Sequence, residues 1–289
     1  MAGWLVLAIA TPILIAASLL GGLLPMIFKA THLRMQLALS FVSGLMLGVA
    51  VLHLLPHSII MLDSVDKAAF LMLLGVVSVF LLMRFLHVHS VEPGIKPHSA
   101  CDHEHEANQE GGAVRWMTLL AGLSLHSFVD GAALASAIKL EQGHALPGFL
   151  VLIVVVLHKP LDALAISATI GNNQDKRKKV NLLYSLIAPL AAWLVYLGFT
   201  GAGESGAQLA GIAMAFCAGA FVCVALADLL PEVQFHSHHR VPLTFVFLIG
   251  VAVAMLLGVV EGHNHGVAGH EGHDHSSHSD HTDHTGHNH

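Results

Sequence analysis

The sequence predicts an all-α, polytopic membrane protein with eight transmembrane helices, and three observations support that prediction. Hydrophobic residues make up 55% of the chain and charged residues only 11%, roughly half the charged fraction of a soluble domain. Mean hydropathy is +0.70. Apolar runs that approach or exceed the roughly 20 residues needed to cross a bilayer as a helix recur along the chain, and the charges cluster between them.

Eight apolar runs define the predicted helices in order. They lie near residues 4–28, 36–61, 68–88, 114–138, 146–170, 179–200, 206–230 and 241–260. The first run lacks the basic start of a cleaved signal peptide and is long enough to span, so it counts as a helix. The predicted organisation is helices 1–3 in residues 1–88, a cytosolic His-containing loop at 89–113, helices 4–8 in 114–260, and a His-rich tail at 261–289. The tail is too polar to bury a core, so we expect it to be disordered.

The basic residues predict the orientation of the helices. One set of loops carries only Lys67 and Lys139. The other set carries Lys29, Arg34, Arg84, Lys96, Arg115, Lys176, Arg177, Lys178, Lys179 and Arg240. Because loops rich in Lys and Arg stay in the cytoplasm, both termini and the His-rich tail are expected outside it. This assignment predicts a multi-pass protein of the cell (inner) membrane.

Composition also limits the function. The few basic residues form no broad patch, so nucleic acid is not an expected partner. The long apolar runs make the lipid bilayer an expected partner. The three cysteines are not spaced as a CxxC metal-binding motif. Histidine is the unusual residue, because the chain contains 24. That number directs attention to divalent metal ions as partners.

An internal repeat links the second and seventh predicted helices. Residues 41–57, FVSGLMLGVAVLHLLPH, match residues 216–232, FCAGAFVCVALADLLPE, at an offset of 175. Both copies end in Leu-Leu-Pro followed by a polar residue. The two helices would cross in opposite directions, so the repeat is inverted, which is typical of alternating-access transporters. Recurrence of small and apolar residues by chance is the weaker explanation.

Two matched motifs occupy the middle of the fourth and fifth predicted helices. Each is His-x-x-x-Asp, formed by His126 with Asp130 and by His158 with Asp162. A four-residue step places both side chains on one helix face, and both pairs lie near the bilayer centre. Buried carboxylates there need a compensating cation or proton. Two imidazoles and two carboxylates suit Zn²⁺, and also accept Fe²⁺, Mn²⁺ or Cd²⁺. A proton relay or helix packing is the alternative.

Other polar residues are weaker candidates for metal ligands. His53 and His57 could line an entrance or mark the interface, and Asp228 and Glu232 could line an exit or cap a helix. Met46 could be a soft auxiliary ligand, although Met more often packs in a core. Three further histidines are expected to meet metal in the cytosol: His236, His238 and His239.

Together these motifs resemble the ZIP (Zrt/Irt-like) family of divalent metal transporters. The resemblance is carried by GGLLPMIF, HLLPH, HSFVDG, HKPLD and ALADLLPE, and it spans all eight predicted helices. It implies an eight-helix bundle, often a homodimer, that moves metal toward the cytoplasm. By position, His126, Asp130, His158 and Asp162 match the primary transport site of that family.

This chain departs from the family pattern at a second metal site. Many members place Asn after the helix-four His and an acid after the helix-five His, whereas this chain has Ser127 and Lys159. We therefore predict a vestigial second site and one bound ion. The alternatives are an exporter of the cation diffusion facilitator type, a membrane zinc hydrolase, or a metal sensor. No HExxH motif is present and four protein ligands leave no open position for water, so no enzyme activity is expected.

Overall fold

The computed structural model describes residues 2–27, 32–86, 108–143, 146–170, 173–226 and 240–262. Within these ranges the chain is helical and contains no strand. Eight helices in the described ranges are long and apolar enough to cross a membrane, which confirms the predicted fold class.

The eight helices follow the predicted order. α1 is Gly3–Ile27, α3 is Val65–Leu86, α4 is Asn108–Leu140, α5 is Phe149–Thr169, α7 is Ser205–Val224 and α8 is Arg240–Gly262. α2 runs through His32–Val49, a π-helical turn at Ala50–Leu54, and Leu55–Leu62. α6 consists of Gln174–Ser185 and Ile187–Gly201, which meet at Leu186.

The core lies around α2 and α7. These helices have the most buried spans, at 61% and 56% of the residues, whereas α3 and α8 have 11% and 17%. The exposed side chains of α3 and α8 are large and apolar, such as Phe70, Phe80, Phe245 and Leu256. Such a surface is expected where helices face lipid instead of water. α2 and α7 therefore form the centre of the bundle, and α3 and α8 form part of its periphery.

The helices pack in pairs that repeat across the molecule. α2 packs on α8 and α7 packs on α3, while α1 packs on α5 and α6 packs on α4. Let α2 correspond to α7 and α3 to α8. The α2–α8 pair is then equivalent to the α7–α3 pair. Likewise, if α1 corresponds to α6 and α4 to α5, the α1–α5 pair is equivalent to the α6–α4 pair. The two halves of the bundle therefore use the same arrangement, which agrees with the inverted repeat found in the sequence.

Glycine contacts extend this repeat to α3 and α8. A side chain at Gly44 of α2 would meet the carbonyl of Phe247 in α8, and one at Gly219 of α7 would meet the carbonyl of Met72 in α3. Gly219 follows Gly44 by 175 residues, and Phe247 follows Met72 by the same number. The two helix crossings are therefore equivalent, and both need glycine for the backbones to approach.

π-Helical geometry begins at equivalent places in both copies of the repeat. It begins at Ala50 in α2 and at Ala225, directly after α7, again 175 residues apart. A π-helical turn widens the helix and leaves backbone groups for other partners. Accordingly, the Ser43 hydroxyl of α2 donates to the Ala225 carbonyl at 2.7 Å.

Candidate metal site

Four side chains from α4 and α5 meet in the middle of the bundle. One ligand atom each from His126, Asp130, His158 and Asp162 lies within 4.8 Å of the other three. Asp130 lies near the midpoint of the apolar span Leu119–Leu140, and His158 lies near the midpoint of Phe149–Thr169. The structure thus brings together the two motifs that the sequence pairs, each near the middle of its apolar span.

The distances within this cluster are close to those of a metal site. The Nε2 atom of His158 lies 3.3 Å from Oδ2 of Asp130, and Nε2 of His126 lies 3.7 Å from Oδ1 of Asp130 and 4.0 Å from Oδ2 of Asp162. Neighbouring ligands of a tetrahedral zinc ion are separated by about 3.4 Å, given metal–ligand distances of about 2.1 Å. Only small inward movements of these side chains are needed to hold an ion.

The carboxylate of Asp130 has an oxygen to offer to a cation. Asp130 is completely buried, and its Oδ1 atom has no hydrogen-bond partner among the residues that the structure describes. A buried polar atom left in this state costs on the order of 1–3 kcal/mol, and more when it is charged. A cation placed between Oδ1 and the nearby His126 ring would remove this cost. The donor set therefore fits a divalent ion.

Lys159 contacts the cluster directly. Its ammonium donates to Oγ of Ser127 and to Oδ2 of Asp130, both at 2.7 Å, and lies 3.9 Å from Oδ2 of Asp162. The side chain is completely buried, so it does not extend to the membrane interface. The ammonium occupies the place between Ser127 and the two carboxylates where the sequence predicted a vestigial second site.

Surrounding groups orient the ligands. The Nδ1 atom of His158 lies 2.8 Å from the carbonyl of Val154, and the Tyr184 hydroxyl of α6 donates to Oδ2 of Asp162 at 3.1 Å. Such contacts fix the direction in which a ligand presents its other atoms. Tyr184 was not predicted from the sequence, because it lies on another helix, 22 residues beyond Asp162, without a motif around it.

Close helix contacts support the cluster on both sides. A side chain at Gly131, next to Asp130, would collide with the Ala188 carbonyl of α6, and one at Gly21 of α1 would collide with the backbone of Pro160. Because Gly131 and Gly21 have no side chain, α6 and α1 approach the ligand-bearing turns of α4 and α5 directly. These turns are therefore held by backbone packing.

The remaining predicted residues separate into three groups. His53 and His57 lie together with Glu141, apart from the central cluster. Met46 is buried in the main hydrophobic core. The others lie outside the residues that the structure describes: Asp228, Glu232, His236, His238, His239, the loop up to residue 107, and the tail from residue 263.

The fold and this site define a class: a polytopic membrane protein with a largely buried His/Asp cluster among the eight helices of its described part. The family model described as ZIP Zinc transporter matches residues 89–260, which is more than half of the chain. The chain belongs to the ZIP zinc transporter family.

Relatives with curated descriptions agree with this membership. The chain is 33% identical over 132 residues to "Zinc transporter ZIP9-B" of Xenopus laevis, covering 43% of each protein. It is 28% identical over 165 residues to "Zinc transporter ZIP9" of Micropogonias undulatus, covering 52% of this chain and 53% of that protein. It is 29% identical over 161 residues to "Zinc transporter ZIP9" of Macaca fascicularis, covering 50% of this chain and 67% of that protein. The chain therefore spans about half the length of most curated relatives that it matches.

Proposed function

We propose that this protein transports divalent metal ions, with zinc as the substrate, and that the ion binds between His126, Asp130, His158 and Asp162 as it crosses. The observation that carries the proposal is the meeting of these four side chains near the middle of two membrane-spanning helices. Family membership supports transport, and the description of the relatives as zinc transporters supports zinc. The donor set is also acceptable to Fe²⁺, Mn²⁺ and Cd²⁺.

The route across the membrane follows from the inverted repeat. A central site between two oppositely oriented halves can open to one side at a time as the halves rearrange. We infer alternating access for that reason. The asymmetry of basic residues supports a cytosolic position for the loop at 89–113 and a location in the inner membrane of the cell. Transport toward the cytoplasm and assembly as a homodimer remain predictions from the family resemblance.

Tracer flux into sealed vesicles tests the function and the ligands together. We expect replacement of His126, Asp130, His158 or Asp162 by Ala, one at a time, to lower zinc flux at least about tenfold, because each variant loses one ligand of the ion in transit. Size-exclusion profiles should show that the variants remain folded.

Asp66→Ala is the matched control, because Asp66 is an exposed carboxylate in the first turn of α3. This variant should transport at the wild-type rate. Wild-type flux in three of the four ligand variants would show that the site is assigned wrongly. Absence of zinc flux in the wild-type protein would contradict the proposed function itself.

A further inference from the structure

A second group of metal-ligating side chains lies at one end of α4. It consists of His53 and His57 from α2 and Glu141 from the α4 terminus, and one ligand atom of each lies within 4.8 Å of the other two. The Nε2 atom of His53 is 2.9 Å from Oε1 of Glu141, and the two imidazole rings have centroids 4.5 Å apart. His53 and Glu141 are 4% and 1% exposed, so this is no surface cluster.

The backbone and local contacts orient each of these side chains. The second oxygen of Glu141, Oε2, accepts the Gly148 N–H at 2.6 Å, so Oε1 is directed toward His53. His53 lies within the π-helical turn of α2, a deviation that occurs frequently at functional sites. Nδ1 of His57 lies 2.9 Å from the carbonyl of His53. A neutral imidazole that donates through Nδ1 has its lone pair at Nε2, the form that binds metal.

The position of this group relates it to the central cluster. Glu141 directly follows the last residue of α4 and continues its last turn, because its N–H donates to the Ala137 carbonyl. It lies 11 residues beyond Asp130, about 16 Å along the helix axis. Eleven residues also amount to about three full turns, so both carboxylates lie on one face of α4. Leu134 and Ala137 lie on that face between them and are fully buried. In this structure, apolar side chains therefore separate the two groups.

We propose that His53, His57 and Glu141 form a second divalent-cation site, from which the ion passes along α4 to the central site. Two imidazoles and one carboxylate match the three-ligand sites that leave one position of zinc to water. An incomplete ligand set suits an ion that must exchange. The passage from one site to the other rests on the proposed transport function, whereas the binding of metal does not.

A purely structural role for Glu141 is the competing explanation. Its carboxylate fastens the α4–α5 loop by accepting the Gly148 N–H, and an ion pair with His53 would hold α2 against α4. That role uses His53 and Gly148 but gives no part to His57. Metal binding requires all three side chains. The two explanations therefore differ in what His57 does and in whether density for an ion is found.

The test is an anomalous difference map at the zinc absorption edge, from crystals of the full chain soaked in Zn²⁺. Such a map locates each ion, so binding by other histidines does not obscure the result. We expect one peak within about 2.3 Å of His53, His57 and Glu141, and another among the four central side chains. In Glu141→Gln and in His57→Gln, the first peak should vanish and the central one remain.

Each outcome decides one claim. A filled central site with no peak at His53, or a peak that persists in both variants, overturns the second site. A peak at His53 with an empty central site supports the second site and contradicts the central assignment.

Passage of the ion between the two sites is tested by flux. The half-saturating zinc concentration for flux should rise about tenfold in Glu141→Gln and stay unchanged in Glu204→Gln, an exposed carboxylate before α7. An equal value in both variants would exclude the passage.

Discussion

Asp130 gives its two carboxylate oxygens different surroundings. Oδ2 accepts a hydrogen bond from Lys159 and lies close to His158, whereas Oδ1 has no partner within the described part of the chain. The Lys159 ammonium thus sets one positive charge against the two carboxylates of the cluster. The net charge of Lys159 and the two carboxylates is about −1. One divalent ion raises this net charge to about +1, and a second raises it to about +3, which a low-dielectric interior strongly disfavours. The residue-level chemistry therefore favours a single ion.

We expect one zinc ion between His126, Asp130, His158 and Asp162 in the wild-type protein. The reason is that the Lys159 ammonium already contacts Ser127 and Asp130, where a second ion would need its ligands. An anomalous map restricted to this cluster measures the number directly. Two strong peaks about 4 Å apart, the spacing of binuclear sites, would refute the single-ion arrangement.

Replacing Lys159 with Met should change zinc transport in two ways. Loss of the positive charge leaves two uncompensated carboxylates, so we expect the half-saturating zinc concentration to fall at least about tenfold, equivalent to about 1.4 kcal/mol. Because the ion is held more tightly, its release slows and the maximal rate should also fall. Lys67→Met, at an exposed lysine of α3, is the control and should behave as wild type. An unchanged or higher half-saturating concentration in Lys159→Met would contradict this role.

At the scale of helices, the structure depends on crossings that only glycine permits. Gly44 brings α2 against the α8 backbone, and Gly219 brings α7 against the α3 backbone. Small residues at helix crossings allow close packing in membranes, where burial from water contributes little to association between helices. The two crossings are related by the repeat, so equivalent substitutions should have equivalent effects.

Gly219→Ala and Gly44→Ala should each destabilise the protein by about 1–3 kcal/mol, because the new methyl group collides with a helix backbone that cannot move independently. Thermal unfolding in detergent, followed by size-exclusion chromatography, measures the effect. Gly258→Ala is the matched control, since the residue lies in α8 and a side chain there meets no described residue within 4 Å. Equal thermal midpoints for all three variants would show that these crossings are not tightly packed.

For the molecule as a whole, the sequence predicted those features that a single helix encodes. Apolar length identified the eight helices, and the His-x-x-x-Asp spacing identified side chains that share a face. The repeat was visible at residues 41–57 and 216–232 because both copies contain Leu-Leu-Pro at the same position. Its continuation into α3 and α8 was not visible, since few identities such as Gly75 and Gly250 remain to be compared there.

Features that depend on contacts between helices could not be predicted in this way. The hydrogen bond from Tyr184 to Asp162 joins two helices through side chains with no shared motif. Glu141 was missed as a partner of His53 because 88 residues separate them. One signal could have found it: the 11-residue step from Asp130 returns to the same face of α4. That periodicity is visible in the sequence once Asp130 is recognised as a ligand.

The central claim is that the protein is a carrier whose His/Asp site opens to one side of the membrane at a time. Zinc counterflow in proteoliposomes tests this claim most directly. Vesicles preloaded with unlabelled zinc are diluted into a trace of radioactive zinc. An alternating-access carrier should accumulate the tracer transiently above its equilibrium level, because unlabelled ions leaving the vesicle return the site to the outside. Vesicles with the Asp130→Ala variant should show no such accumulation. Tracer that only equilibrates with wild-type protein, or equal accumulation with the variant, would contradict the account.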